Sequence, residues 1–126
     1  MRSTVTNAIL AAVLAAALLT ALPATATAAP PPRLGSCAPG ALCLWPGADF
    51  RGARQTYELA DTDIDSCVAL PAGVTAESLA NRVGRPVTAY QSAACAETGQ
   101  FETYPGKGTW VPRSPYVVRA FKIWET

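Results

Sequence analysis

The sequence contains no histidine. That absence removes Ser-His-Asp and Cys-His nucleophilic centres, and every zinc hydrolase built on imidazole ligands. A surplus of charge is also missing: ten Lys and Arg stand against nine Asp and Glu. A nucleic-acid binder or a protein held to anionic lipid would carry a basic excess, so neither partner is expected. Closely spaced cysteine pairs are lacking too. The four cysteines, Cys37, Cys43, Cys67 and Cys95, lie further apart than the two to four residues usual at a structural zinc. No metal and no cofactor is expected. Past residue 22 no apolar run approaches the length of about 20 residues that spans a bilayer.

What is there begins with a leader. Arg2 precedes an apolar stretch at 8–22, Pro23 breaks it, and Ala24-Thr25-Ala26-Thr27-Ala28-Ala29 follows. These are the basic n-region, apolar h-region and small-residue cleavage sites of a secretory signal peptide, and the stretch is short for a spanning helix. Cleavage is expected after Ala26 or Ala28. Residues 1–28 are thus expected to be signal peptide, 29–36 a flexible Pro-rich arm, and 37–126 one folded domain. Loss of Arg2 leaves basic and acidic groups equal in number. The expected product is secreted, monomeric and free of the membrane.

An even number of cysteines in an exported chain reads as two disulfides. Three pairings are open. Proximity and the Pro39-Gly40 turn favour Cys37–Cys43, with Cys67–Cys95 as the second bridge. Closing those loops would contribute roughly 2 and 3.5 kcal/mol.

From Cys37 onward, short β-prone runs alternate with Gly, Pro, Asn and Asp. Strands are expected at 42–45, 54–59, 67–70, 78–83, 86–91, 100–104, 109–111 and 117–124. The segment 75–83 also has helical features, with Thr75 as a possible N-cap. Eight short strands at this spacing suggest a β-sandwich or barrel. The 117–124 run is too uniformly apolar to have a single buried face.

Few side chains suggest chemistry. In an extended segment Asp61, Asp63 and Asp65 would share one face, but an EF-hand loop starting at Asp61 would need Gly and Glu where Ser66 and Ala72 stand. A solvated acidic turn is the simpler reading. Lys107 lies in Gly-Lys-Gly-Thr without the spacing of a phosphate loop, and a turn at Pro105-Gly106 accounts for it. Nothing singles out a carboxylate pair for glycoside hydrolysis. No catalytic residue is assigned, and an enzyme is not expected.

One stretch is more specific. In Cys37-Ala-Pro-Gly-Ala-Leu-Cys43-Leu-Trp45-Pro-Gly-Ala-Asp-Phe50-Arg-Gly52, an aromatic is followed by another five residues on and a Gly two further. This resembles the start of a βγ-crystallin Greek-key motif, in which the aromatics close a folded hairpin and the Gly takes a conformation a side chain would hinder. Ser78-Leu-Ala-Asn81 resembles that motif's serine-bearing strand. A degenerate second copy begins at Tyr90, with Cys95 in place of the second aromatic and Arg119-Ala120 near the serine position. The resemblance implies an all-β, βγ-crystallin-like Greek-key sandwich of about eight short strands, stapled by disulfides. The acidic pair that would hold calcium in microbial crystallin domains is absent from Gly73-Val74-Thr75-Ala76-Glu77-Ser78.

The Cys-x-x-Gly-x-Leu-Cys opening after a signal peptide resembles the secreted actinobacterial peptidase inhibitors related to the Streptomyces metalloproteinase inhibitor. That resemblance implies inhibition of an extracellular peptidase, in particular a metallopeptidase, by a loop held extended like a substrate. The candidate loop runs over 91–100 and includes Ser92, Ala93, Ala94, Cys95, Ala96 and Glu97. It is expected to be flexible except where Cys95 tethers it. The rival expectation is a secreted module that binds carbohydrate or cell wall, or an antifungal crystallin-fold protein. Burial of Trp45, Trp110 and Trp124 together would count against that. A purely structural calcium-binding crystallin domain is a third.

Overall fold

Period-two alternation sorts the strands onto two packed sheets. In β1, Ala41–Trp45, Leu42 and Leu44 point into the space between the sheets, while Cys43 and Trp45 belong to a second cluster with Cys37 and Ala80. The remaining strands are β2 Gln55–Glu58, β3 Val68–Ala69, β4 Ser78–Asn81, β5 Val87–Tyr90, β6 Phe101–Tyr104, β7 Thr109–Val111 and β8 Ala120–Ile123. The computed structural model describes residues 33–126; the expected signal peptide, 1–28, and the start of the expected arm lie outside the described residues.

The sheets run β2-β1-β4-β7 and β3-β8-β5-β6, with antiparallel pairing throughout. Each half of the chain therefore builds three strands of its own sheet and sends its third strand, β3 or β7, to the other. This is the all-β Greek-key sandwich expected from the sequence. The segment 75–83 is strand at its centre, with Leu79 and Ala80 both buried.

Leu42, Leu44, Leu79, Val87, Val118, Phe121 and Ile123 fill the space between the sheets, each contributing about 1.5–3 kcal/mol by leaving water. Tyr57 meets Phe121 edge-on at 4.7 Å between centroids. Buried Asn81 is fully satisfied: its Nδ2 donates to the carbonyls of Arg85 and Tyr104, and its Oδ1 accepts from the Val83 N–H. The 117–124 run is covered on both sides, because Ala120 packs with Tyr90 and Cys95 while Phe121 and Ile123 face the core.

Within the expected arm, Gly35 and Ser36 make defined contacts. Trp110 Nε1 donates to the Gly35 carbonyl at 3.0 Å, and the Arg54 guanidinium donates to the Ser36 carbonyl.

Candidate functional site

Two hairpins leave corresponding strands of the two sheets, and they are closed differently. After β1 the chain makes a 3-10 turn at Ala48–Phe50. The Phe50 ring comes back to Trp45, edge to face, at 5.1 Å. Ser78 Oγ accepts the Phe50 N–H at 3.1 Å and donates to the Gly47 carbonyl at 2.7 Å. Gly52 sits at φ 96, where a Cβ would come within 2.5 Å of the Pro46 ring. Trp45, Phe50, Gly52 and Ser78 thus converge on one folded hairpin, with Trp45 and Ser78 buried.

After β5 the loop 91–100 has no aromatic lid. Cys95 packs against Tyr90 and Ala120 and is bridged to Cys67, with 5.9 Å between Cα atoms. The other bridge joins Cys37 to Cys43. The loop is pinned at its two ends and at its 92–95 turn. The Gln91 N–H donates to the Gln100 carbonyl, and the Gln100 N–H donates to Gln91 Oε1. Arg119 Nη1 reaches the Gln91 carbonyl at 3.3 Å. At the apex the Cys95 N–H donates to the Ser92 carbonyl, and the Ala94 N–H to Ser92 Oγ.

This geometry corrects the picture of an extended, flexible loop. Cys95 lies at φ 53, so the chain reverses at 92–95 instead of running straight, drawn in by its bridge and its own backbone hydrogen bond. Ala93, Ala94 and Glu97 are exposed, Ser92 and Ala96 are half-buried, and Cys95 is buried. Sequence reasoning missed Gln91 and Arg119 as loop anchors. Arg119 enters the motif reading only as a neighbour of a degenerate serine position and Gln91 stands in no motif at all, and both act through contacts that composition does not reveal.

The groups with displaced acidity are tyrosines. Burial raises Tyr57. It also raises Tyr90, with Glu97 adding to the effect. Burial pushes Tyr116 up to about 12 and Tyr104 higher still. These phenols stay protonated at neutral pH, and Tyr116 uses its O–H to hold the Ala89 carbonyl at 2.6 Å.

Asp61, Asp63 and Asp65 are all exposed, as the solvated-turn reading expects. Asp61 ends a 3-10 turn, Leu59–Asp61, and Asp65 lies at φ 54 with its Oδ1 accepting the Glu125 N–H. The segment belongs to no strand. Among the described residues no three acidic or cysteine side chains converge as metal ligands.

Residues 30–102 match the model of peptidase inhibitor family I36. The chain belongs to peptidase inhibitor family I36. The match takes in the first hairpin and the whole of the 91–100 loop. Membership in an I36 inhibitor family points to a peptidase as partner and away from catalysis. No match was found among curated proteins. Among solved structures, the I36 chain is similar to a βγ-crystallin domain of Abundant Perithecial Protein from Neurospora crassa, determined in its Ca2+-bound form. The TM-score is 0.54 at 19% identity, over 71% of this chain and 92% of the other. That likeness is one of fold.

Among the described residues no helix is long and apolar enough to cross a membrane. Two disulfides suit an oxidising compartment.

Proposed function

We propose that this chain is a secreted, monomeric inhibitor of an extracellular metallopeptidase and acts through the 91–100 loop. The observation that carries the reading is the I36 family match over 30–102, which contains this loop. The loop's construction supports it. A segment fixed at both ends, at its apex and through Cys67–Cys95 loses little conformational freedom when it enters a cleft. Ala93 and Ala94 present small side chains that fit a narrow approach. A peptide bond cut within 92–97 would leave one new end held by β5 and the other by β6, with the Cys67–Cys95 bridge anchoring the piece that keeps Cys95, slowing escape of the product.

The test is to titrate the oxidised protein, freed of residues 1–28, against a thermolysin-like metallopeptidase and a subtilisin-like serine peptidase. Inhibition of the first with Ala94→Arg inactive is the expected outcome. No inhibition of either at micromolar concentration removes the reading, and inhibition of the serine enzyme alone removes the metallopeptidase assignment.

One observation supports the rival, glycan-binding reading. Trp45 is buried and Trp110 and Trp124 are half-covered, but Phe101 is 46% exposed and stacks on Tyr90. It borders a hollow lined by Gln91, Thr98, Gly99 and Gln100. Retention on chitin or peptidoglycan that Phe101→Ala abolishes would establish it.

A further inference from the structure

The turn at 71–74 lies beside the inhibitory loop, and sheet topology puts it there. β3 and β5 both pair antiparallel with β8, so they run the same way and leave the sheet at the same end. The last rung at that end is shared. The Leu70 N–H donates to the Arg119 carbonyl, and the Arg119 N–H donates to the Tyr90 carbonyl. One residue later on either side of Arg119 the chain enters the 71–74 turn and the 91–100 loop.

Both segments are preformed. The Val74 N–H closes its turn onto the Pro71 carbonyl at 2.9 Å, with Gly73 at φ 78, a conformation that favours glycine. The 92–95 turn is closed the same way, and Cys67–Cys95 ties its apex to the residue before β3. Between the two turns lies a hollow of about 170 Å³, bordered by Pro71, Ala72, Val74, Ala93 and Arg119. It is smaller than the roughly 300–1,000 Å³ of small-molecule sites. Pro71, Ala72 and Ala93 are exposed around it, with exposed Ala94 next in the chain and the Arg119 cation on its border. An apolar centre with a charged edge is the make-up of a protein-docking surface.

We propose that the 71–74 turn is a second peptidase-contacting element, which forms one surface with the 92–95 turn. The inference rests on the inhibitory role proposed above for 91–100, and its occupant is the peptidase that the family membership implies. Two rigid turns locked side by side present a cleft rim with a fixed shape, and each adds contact area without further ordering cost.

Inhibition constants of the full oxidised protein and three exposed-site variants, measured on the thermolysin-like enzyme, test this. Ala72→Arg is expected to weaken inhibition at least tenfold with an unchanged melting temperature. Ala94→Arg should do the same. Ala53→Arg, on the first hairpin, should leave inhibition at the native level. Native-level inhibition by Ala72→Arg alongside loss in Ala94→Arg overturns the two-turn surface and leaves the inhibitory loop standing. If neither substitution weakens a native protein that does inhibit, both assignments fall. If the native protein inhibits neither peptidase class, the proposed function fails and this surface goes with it.

Discussion

In the hairpin after β1, Phe50 folds back over Trp45 and Ser78 ties the turn to the sheet. In the hairpin after β5, Cys95 stands at the corresponding place and Ala120 replaces the serine. The first closure uses a side chain of the loop itself as the lid, so loop surface is consumed by packing. The second closure comes from beneath, through a bridge to Cys67. The apex residues Ala93 and Ala94 are then left facing outward. The half that gave up its aromatic lock is the half whose loop is free to meet a partner.

That contrast can be broken most sharply at the bridges. Replacing Cys67 and Cys95 together with Ser should lower unfolding free energy in urea by about 3.5 kcal/mol, against about 2 for the Cys37/Cys43 pair. Equal losses would mean that the bridge beneath the second hairpin matters no more than the Cys37–Cys43 staple that packs behind the first. Next in size is Ser78→Ala, which strands the Phe50 N–H and the Gly47 carbonyl. A cost of about 1–3 kcal/mol is expected. Ala120→Ser, in the half that manages without the hydroxyl, should give no matching gain.

Smaller still is Arg119→Met. The melting temperature should hardly move, while amide exchange at 91–100 quickens several-fold with the loss of the contact to the Gln91 carbonyl; unchanged exchange would exclude Arg119 as an anchor. At neutral pH the last effect is absent altogether. The raised pKa values of Tyr104 and Tyr116 contribute stability that is fully present below the ordinary phenol pKa of about 10 and is lost as pH climbs through their folded values. Melting curves should hold to pH 9 and fall above 10, and Tyr116→Phe should soften the alkaline fall. A fall already present at pH 8 would point to other groups.

All eight strands were legible because Gly, Pro and Asn punctuate them, and local composition is enough to place a break. The first hairpin was legible for a related reason: Trp45, Phe50, Gly52 and Ser78 are residue types whose packing or conformation few others can imitate. The second hairpin was half legible. Its cysteine could be read, but its shape depends on φ at Cys95 and on Arg119, which sits just before β8, 28 residues after the Gln91 it holds. Nor could composition tell which sheet receives β3 and β7, since both are short and partly exposed. The acidic 61–65 segment was legible as a solvated turn, because alternating carboxylates without a partner stay in water, and all three are exposed between a 3-10 turn and Asp65 at φ 54.

The exchange of β3 and β7 also sets a schedule. The first sheet lacks its fourth strand until residues 109–111 exist, and the second cannot form its central pair until 120–123. Contacts this distant in sequence make folding slow and late, so the growing chain stays open almost to its end. For the secreted inhibitor proposed above, an architecture that cannot close early would keep the chain in the threadable state that export requires, with its bridges made afterwards.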